Sequence, residues 1–330
     1  MFFKIAYIIK PLNLGKANEV SIDMHTPPHD VRILIEKIPE DRLSKDINRN
    51  DLFIYAITQR TLTQKREKQF AEITSTLSNS LKEFMTLIWN DLYDVLMQTI
   101  NGYRWRLRNE SATNPIKFWN FNYYSSDGFN WKAFPISPAL MATWGLPVKQ
   151  EYTNEEFKSI GELLSVNHTE PLGHNLLHEA WDLRRTNPRS SLVIGIAAAE
   201  TGFKQFCATL APDASWLIEN VPSPPMVKML EEYLPLVNTK HKIYGHTLPP
   251  PEALIKVLKK GIQLRNGVVH GKHTDLKKET VEEILNAVRD LLYLLDFYNG
   301  HVWAWEHVNS TYLHELVETA KSKNAKLSKG

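Results

Sequence analysis

The residues with the clearest chemical potential in this chain are an arginine and a histidine five positions apart. They are Arg265 and His270, in a stretch that also contains Gly267 and Gly271. A guanidinium is planar and permanently charged, so it can hold a phosphate through paired hydrogen bonds. An imidazole titrates near neutrality and can move a proton to or from a ribose hydroxyl. Together these two groups are what metal-free RNA cleavage requires.

Helix geometry decides whether the two side chains can meet. Five residues of ideal α-helix turn through roughly 500°, which leaves Arg265 and His270 roughly 140° apart around the axis. Because glycine loosens or ends a helix, Gly267 and Gly271 predict that His270 leaves the last turn toward the Arg265 side. Asn266 is four residues before His270 and is expected on its face. The alternative is an ordinary helix end, where arginine and histidine are favoured beside the last carbonyls.

Four amphipathic segments around this motif predict a helical bundle. Segments 251–264 and 277–299 flank the motif, and each carries apolar residues at helical spacing. Two more helical segments, 172–185 and 189–210, lie upstream and are separated by the turn signal Asn187-Pro188. Four helices of this kind can close around one core.

This arrangement resembles the HEPN superfamily (higher eukaryotes and prokaryotes nucleotide-binding domains), especially its ApeA-like branch in bacterial defence proteins. The resemblance covers about residues 170–305. It is carried by the run Arg265-Asn266-Gly267-Val268-Val269-His270-Gly271, the small-residue helix 190–200 that ends in Glu200, and the proline-rich connection 221–251.

The resemblance implies a metal-independent endoribonuclease that works as a homodimer, with the two Arg–His motifs facing each other in one composite site. Arg265 and His270 match the family's functional pair. Asn266 matches the polar residue often found beside the arginine, and Glu200 is a supporting carry-over. No cofactor or metal is implied, whereas a nucleotide or a protein is an expected trigger.

Many members of this family have lost activity and serve as binding or dimerisation modules. Two functions therefore remain open at this point. The first is an RNA-cleaving defence or toxin effector. The second is a non-catalytic HEPN module that binds a nucleotide, RNA or a protein partner.

The first 160 residues predict a mixed α+β domain of no recognised family, with a role in sensing or specificity. Its predicted elements are strands 2–9, 31–38 and 52–58, a helical stretch 62–100 broken near 75–80, and β-like runs 103–108, 117–124 and 129–134. Ser125-Ser126-Asp127-Gly128 is a hairpin turn signal. The whole chain is thus α+β: a mixed domain over 1–160, a helical bundle over 165–305, and a C-terminal helix with a frayed basic tail over 306–330.

Within the first domain, the run Tyr103–Arg108 is the most suggestive for RNA. On a strand, Arg104, Arg106 and Arg108 would share one face. That face could follow a phosphate backbone, with stacking platforms supplied by the nearby aromatic residues Trp119, Tyr123 and Trp131. The alternative is a half-buried strand with a solvated charged face, which is the simpler interpretation.

Other candidate centres are weaker. His174 and His178 have the i, i+4 spacing of helical zinc ligands, but no third ligand is evident, so a helix surface with two histidines is expected instead. Cys207 lies among apolar residues and is expected to be a buried, inert thiol.

Composition places limits on partners and compartment. The length of 330 residues, with 43% hydrophobic and 23% charged residues, indicates two globular domains. A net charge of +2 excludes a polybasic nucleic-acid binder, so RNA contact has to come from a local site. Cys207 is the only cysteine, which excludes an internal disulfide and fits a reducing cytoplasm. The apolar stretch 5–9 is too short for a signal peptide or a membrane span.

Overall fold

The chain forms two compact units, Met1–Thr169 and Glu170–Gly330. The first is built on an antiparallel sheet and the second is helical, so the predicted α+β class is confirmed. The structure is a computed structural model that describes residues 1–9, 19–26, 29–40, 51–73, 77–106, 116–134, 161–163, 169–212, 216, 220, 225–272 and 276–327.

The N-terminal unit contains a six-stranded sheet in the order β2-β3-β4-β1-β5-β6. Every pair of neighbouring strands is antiparallel. The strands are β1 (Phe2–Ile9), β2 (Glu19–Thr26), β3 (His29–Lys37), β4 (Leu52–Gln59), β5 (Ile116–Ser125) and β6 (Lys132–Ala133). Two helices follow β4 in the chain, α1 (Gln64–Ala71) and α2 (Asn79–Arg106).

Alternation along the strands divides the sheet into two faces. On β1, Phe3 and Ile5 belong to the main core together with Leu92 and Leu96 of helix α2. The intervening residues of β1 point to the opposite face, since successive side chains of a strand alternate. That opposite face has a smaller apolar cluster, which includes Ile8. Helix α2 therefore covers one face of the sheet, and the opposite face carries the smaller apolar cluster.

Most of the predicted N-terminal elements are confirmed, including the break between the helices and the turn after Ser125. The strand β2 was not predicted, although its sequence alternates. The run 129–134 contributes only the two residues of β6.

The predicted strand over 103–108 is wrong for residues 103–106. Residues 103–106 form the last turn of helix α2, because the helical apolar spacing of Leu96 and Ile100 continues to Tyr103. Arg104 and Arg106 are only 3% and 7% exposed, so they present no solvent-facing basic strand. Arg108 lies outside the described residues.

The C-terminal unit is a bundle of helices. They are α3 (Leu172–Leu183), α4 (Pro188–Leu210), α5 (Glu252–Val269), α6 (Lys278–Tyr298) and α7 (Ser310–Leu327), with a short helical segment over 226–236 and a 3-10 helix at Val302–His307. The four predicted helices are confirmed. Helix α7 continues to Leu327, so the expected frayed tail is wrong for residues 321–327. No helix in the described part of the chain is both long and apolar enough to cross a membrane.

Local sequence explains where helix α4 begins and how closely it packs. Asn187 precedes the helix, and its side-chain oxygen accepts a hydrogen bond from the Ser190 amide at 3.2 Å. Pro188 occupies the first helical position, where its missing N–H costs nothing. Further along, Gly195 and Gly202 lie directly under Leu285 and Leu292 of helix α6. The small residues of α4 thus allow the neighbouring helices to approach its backbone.

Gly173→Ala is expected to destabilise the bundle. A Cβ at this position would lie 2.8 Å from the Gly202 Cα and 3.1 Å from the Ala198 carbonyl oxygen, and backbone atoms cannot move away as a side chain can. Overpacking of this kind costs about 1–3 kcal/mol. The free energy of unfolding from denaturant titration measures the loss.

The matched control is Gly161→Ala. Its added Cβ would lie 3.9 Å from the Ile22 side chain, which is an ordinary contact. Equal stability of Gly173→Ala and the wild type would contradict the close approach of helices α3 and α4.

Candidate functional site

The Arg–His motif occupies the C-terminal end of helix α5, and a glycine turn ends the helix just after His270. The His270 N–H donates to the Asn266 carbonyl at 3.0 Å, as in a regular helix. The Gly271 N–H then donates to the Val268 carbonyl at 3.0 Å, and the Lys272 N–H donates to the Gly267 carbonyl at 2.7 Å. With Gly271 at a φ of +71°, this is a Schellman motif.

This geometry corrects one expectation about the motif. Gly267 neither loosens nor ends the helix; it is buried within α5, which continues to Val269. His270 therefore keeps its helical position, roughly 140° around the axis from Arg265. Asn266 and His270, four residues apart, lie on neighbouring positions of the helix surface, and both are exposed. Within one chain, the side chains of Arg265 and His270 therefore leave the helix in different directions.

Arg265 is instead held by helix α4. Its Nη2 donates to the Glu200 Oε1 at 2.5 Å, and the two side chains are 24% and 19% exposed. The Arg265 Nε is buried and has no hydrogen-bond partner among the described residues. The structure thus brings Glu200 and Arg265 together, and one guanidinium nitrogen is committed to the carboxylate.

The surface beside the motif is partly apolar. Val269 is 61% exposed, and Val268 borders a cavity of about 430 Å³. The other residues that line this cavity come from the beginning of helix α4: Asn187, Arg189, Ser190, Val193 and Ile194. His270 is also exposed, so the end of helix α5 offers both polar and apolar contacts.

The two histidines of helix α3 are buried, which corrects the expectation of a helix surface. His174 is 2% exposed, and its Nε2 lies 2.8 Å from the Asp296 Oδ2. His178 is 5% exposed, and its Nε2 lies 2.9 Å from the Glu170 Oε1. Each histidine is therefore part of the interior hydrogen bonding of the bundle.

The other residues considered from the sequence form neither a metal site nor a reactive thiol in the described part of this unit. Among the described residues, no group of three or more metal-ligating side chains is found. Cys207 is buried as expected, and burial raises the pKa of its thiol to about 11. A thiol with that pKa is protonated at neutral pH and is a poor nucleophile.

One face of the sheet in the N-terminal unit carries some of the aromatic residues that the sequence suggested for RNA stacking. Tyr123 and Trp131, expected as stacking platforms, lie on one face of the sheet beside Lys4. The side chain of Trp119 lies outside the described residues. The strand alternation of β1 and β4 was the signal for this face, because it places Lys4 and Tyr55 on the same side.

Comparison with known proteins adds no family: no family model, curated protein or solved structure matches this chain. Support for a function has to come from the geometry of the motif and its surroundings.

Gly271→Ala is expected to weaken the end of helix α5. A left-handed φ of +71° is strained for alanine, and the cost is about 1 kcal/mol. Gly271→Asn is the matched variant, because asparagine tolerates this conformation better. Thermal unfolding should rank the wild type above the asparagine variant and the alanine variant last. Equal melting temperatures of all three would contradict the Schellman turn.

His174→Ala is expected to destabilise the bundle by about 2–4 kcal/mol, since it removes one partner of a buried hydrogen bond and leaves a cavity. His314→Ala, at an exposed position of helix α7, is the control and should be nearly neutral. Denaturant titration of both variants measures the difference. A neutral His174→Ala would show that this histidine is not part of the core.

Proposed function

We propose that this chain is a HEPN-type, metal-independent endoribonuclease that acts as a bacterial defence or toxin effector in the cytoplasm. The observation that carries the proposal is the end of helix α5. Its Schellman turn leaves His270 exposed, while Glu200 fixes Arg265 on another side of the same helix end. An accessible imidazole and a positioned guanidinium are the two groups that RNA cleavage without metal requires.

The proposed enzyme is a homodimer, and the direction of the two side chains supports this part of the proposal. Because helix α5 is regular up to Val269, Arg265 and His270 of one chain diverge, and a site that uses both needs a second copy. A two-fold axis beside the motif would bring His270 of the partner subunit toward Arg265. The exposed Val269 and its neighbour Val268 supply apolar surface that such a contact would cover.

The proposed reaction is an intramolecular transesterification, in which the 2′ oxygen of the ribose replaces the 5′ oxygen of the next nucleotide on phosphorus. The 2′-hydroxyl loses its proton to a base and its oxygen bonds to phosphorus, while the bond from phosphorus to the 5′ oxygen breaks. The 5′ oxygen takes up a proton, so the products are a 2′,3′-cyclic phosphate and a 5′-hydroxyl. His270 serves as the base or as the acid, Arg265 stabilises the charge on the phosphate oxygens, and Asn266 orients His270 or the backbone.

The alternative function is a non-catalytic HEPN module that binds a nucleotide, RNA or a protein partner. The ion pair between Arg265 and Glu200 favours it, because an arginine that is three-quarters buried against a carboxylate also suits a structural role. A guanidinium has five N–H donors, however, and Glu200 accepts from only one of its nitrogens, Nη2. The Nε is buried, so a phosphate would be bound through the Nη1 and Nη2 N–H groups that Glu200 leaves.

The purified chain is expected to cleave RNA in the presence of EDTA. His270→Ala should lower the rate about 100- to 10,000-fold, since that is the typical contribution of a proton-transfer group. Arg265→Ala should have a similar effect, and Arg265→Lys should restore little because an ammonium cannot reproduce the planar fork. Gel analysis of end-labelled RNA, with identification of the cyclic phosphate, measures the reaction.

An exposed histidine of the same unit provides the control. His314 is next to Glu315, which accepts a hydrogen bond from the Glu252 amide at the opposite end of helix α5 from the motif, so His314→Ala should keep full activity. Cleavage that requires added metal, or that survives His270→Ala, would contradict the proposal. RNA that is bound through Arg265 but not cleaved would establish the non-catalytic alternative.

A further inference from the structure

The N-terminal unit has an open trough of about 1000 Å³ that no part of the proposed nuclease uses. It lies on the face of the sheet opposite helix α2. Its floor comes from alternate residues of three adjacent strands: Phe2 and Lys4 of β1, Arg32, Leu34 and Glu36 of β3, and Tyr55, Ile57 and Gln59 of β4. The turn between β5 and β6 forms one wall, with Phe129 and Trp131.

This face already holds a cation among aromatic rings. The Lys4 Nζ lies 4.2 Å from the centroid of the Trp131 ring, and 5.0 and 5.1 Å from those of Tyr123 and Tyr55. These distances are within the range of favourable cation–π contacts. Tyr55 and Trp131 thus give the trough aromatic surface, and Lys4 already lies against these two rings.

A further aromatic ring is presented to solvent on a well-ordered turn. Phe129 is 87% exposed. The Asp127 Oδ1 accepts hydrogen bonds from the Phe129 and Asn130 amides at 2.8 Å each, and the Ser125 hydroxyl donates to the same oxygen at 2.8 Å. These bonds hold the pKa of Asp127 well below its usual range, so the carboxylate is ionised at neutral pH. The turn thus places an aromatic ring next to a fixed negative charge.

The charges along the trough are mainly negative. The described residues that line it include two cations, Lys4 and Arg32, and four carboxylates, Asp23, Asp30, Glu36 and Asp127. Arg32 is paired with Asp23 at 2.6 Å, which neutralises part of its charge. A phosphate backbone would be repelled by this excess of carboxylates, whereas a cationic ligand would be attracted.

The geometry points to this trough as the binding site for an extended segment of another protein in which basic and apolar side chains alternate. Lysine or arginine side chains of the segment would contact Phe129 and the carboxylates. Its apolar side chains would cover Leu34 and Ile57, which a small polyamine could not do. The chain would then recognise a basic protein partner through its N-terminal unit, independently of the motif in helix α5.

The test is binding of a fluorescently labelled dodecapeptide of alternating lysine and valine to the full chain, followed by anisotropy. Phe129→Ala should weaken binding about 2- to 5-fold, the range of an exposed cation–π contact. Asp23→Lys should weaken it about 3- to 10-fold, because it replaces an attraction by a repulsion. Added salt should reduce the affinity further, since exposed charges are screened.

Matched controls lie on helix α2 in the same unit. Leu87→Ala removes an exposed apolar side chain and Asp94→Lys reverses an exposed charge, and both should bind the peptide as the wild type does. A peptide with glutamate in place of lysine should not bind.

Three outcomes would overturn the inference. One is the absence of binding to the lysine peptide at any accessible concentration, and another is equal binding of the glutamate peptide. The third is binding of oligodeoxythymidine that Phe129→Ala weakens and Asp23→Lys strengthens, which would make the trough a nucleic-acid surface. Oligodeoxythymidine lacks the 2′-hydroxyl and cannot be cleaved, so this result would be independent of the proposed nuclease.

Discussion

The continuity of helix α5 up to Val269 is the constraint on which the proposed site depends. A regular helix turns Arg265 toward Glu200 of helix α4 and turns His270 into solvent, and the Schellman turn at Gly271 ends the helix immediately afterwards. Because the two side chains diverge within one chain, the proposed site needs a second copy of the chain to bring an arginine and a histidine together. The same helix packs through Gly261 against Ile196 and Ile284, so the bundle fixes its orientation.

The two units offer chemically different surfaces. In the C-terminal unit, the region of the motif combines an exposed imidazole, a partly buried guanidinium and the exposed side chain of Val269. In the N-terminal unit, the trough combines aromatic rings with an excess of carboxylates. A phosphate-containing substrate suits the first surface and a cationic partner suits the second. The proposed nuclease site and the proposed peptide-binding trough therefore rest on independent observations.

Much of the fold follows from local sequence, and the failures have physical causes. The helices of the bundle follow from apolar spacing, and the start of helix α4 follows from Asn187 and Pro188. Periodicity failed at residues 103–106, where the alternation of aromatic and basic residues also fits the last turn of helix α2. It also failed at His174 and His178. The partner of His174 is Asp296, 122 positions away, and the partner of His178 is Glu170, which lies before helix α3 begins, so the apolar spacing of that helix indicates neither contact. The pairing of Arg265 with Glu200 was not predicted, because 65 positions separate the two residues and the resemblance gave Glu200 only as a supporting residue.

The most direct measurement of the composite site is complementation between two inactive variants. A single chain with Arg265→Ala keeps His270, and a single chain with His270→Ala keeps Arg265. If each site takes its arginine from one subunit and its histidine from the other, mixing the two variants in EDTA should restore RNA cleavage well above either variant alone. A mixture that forms heterodimers but stays as inactive as its components would contradict the composite site.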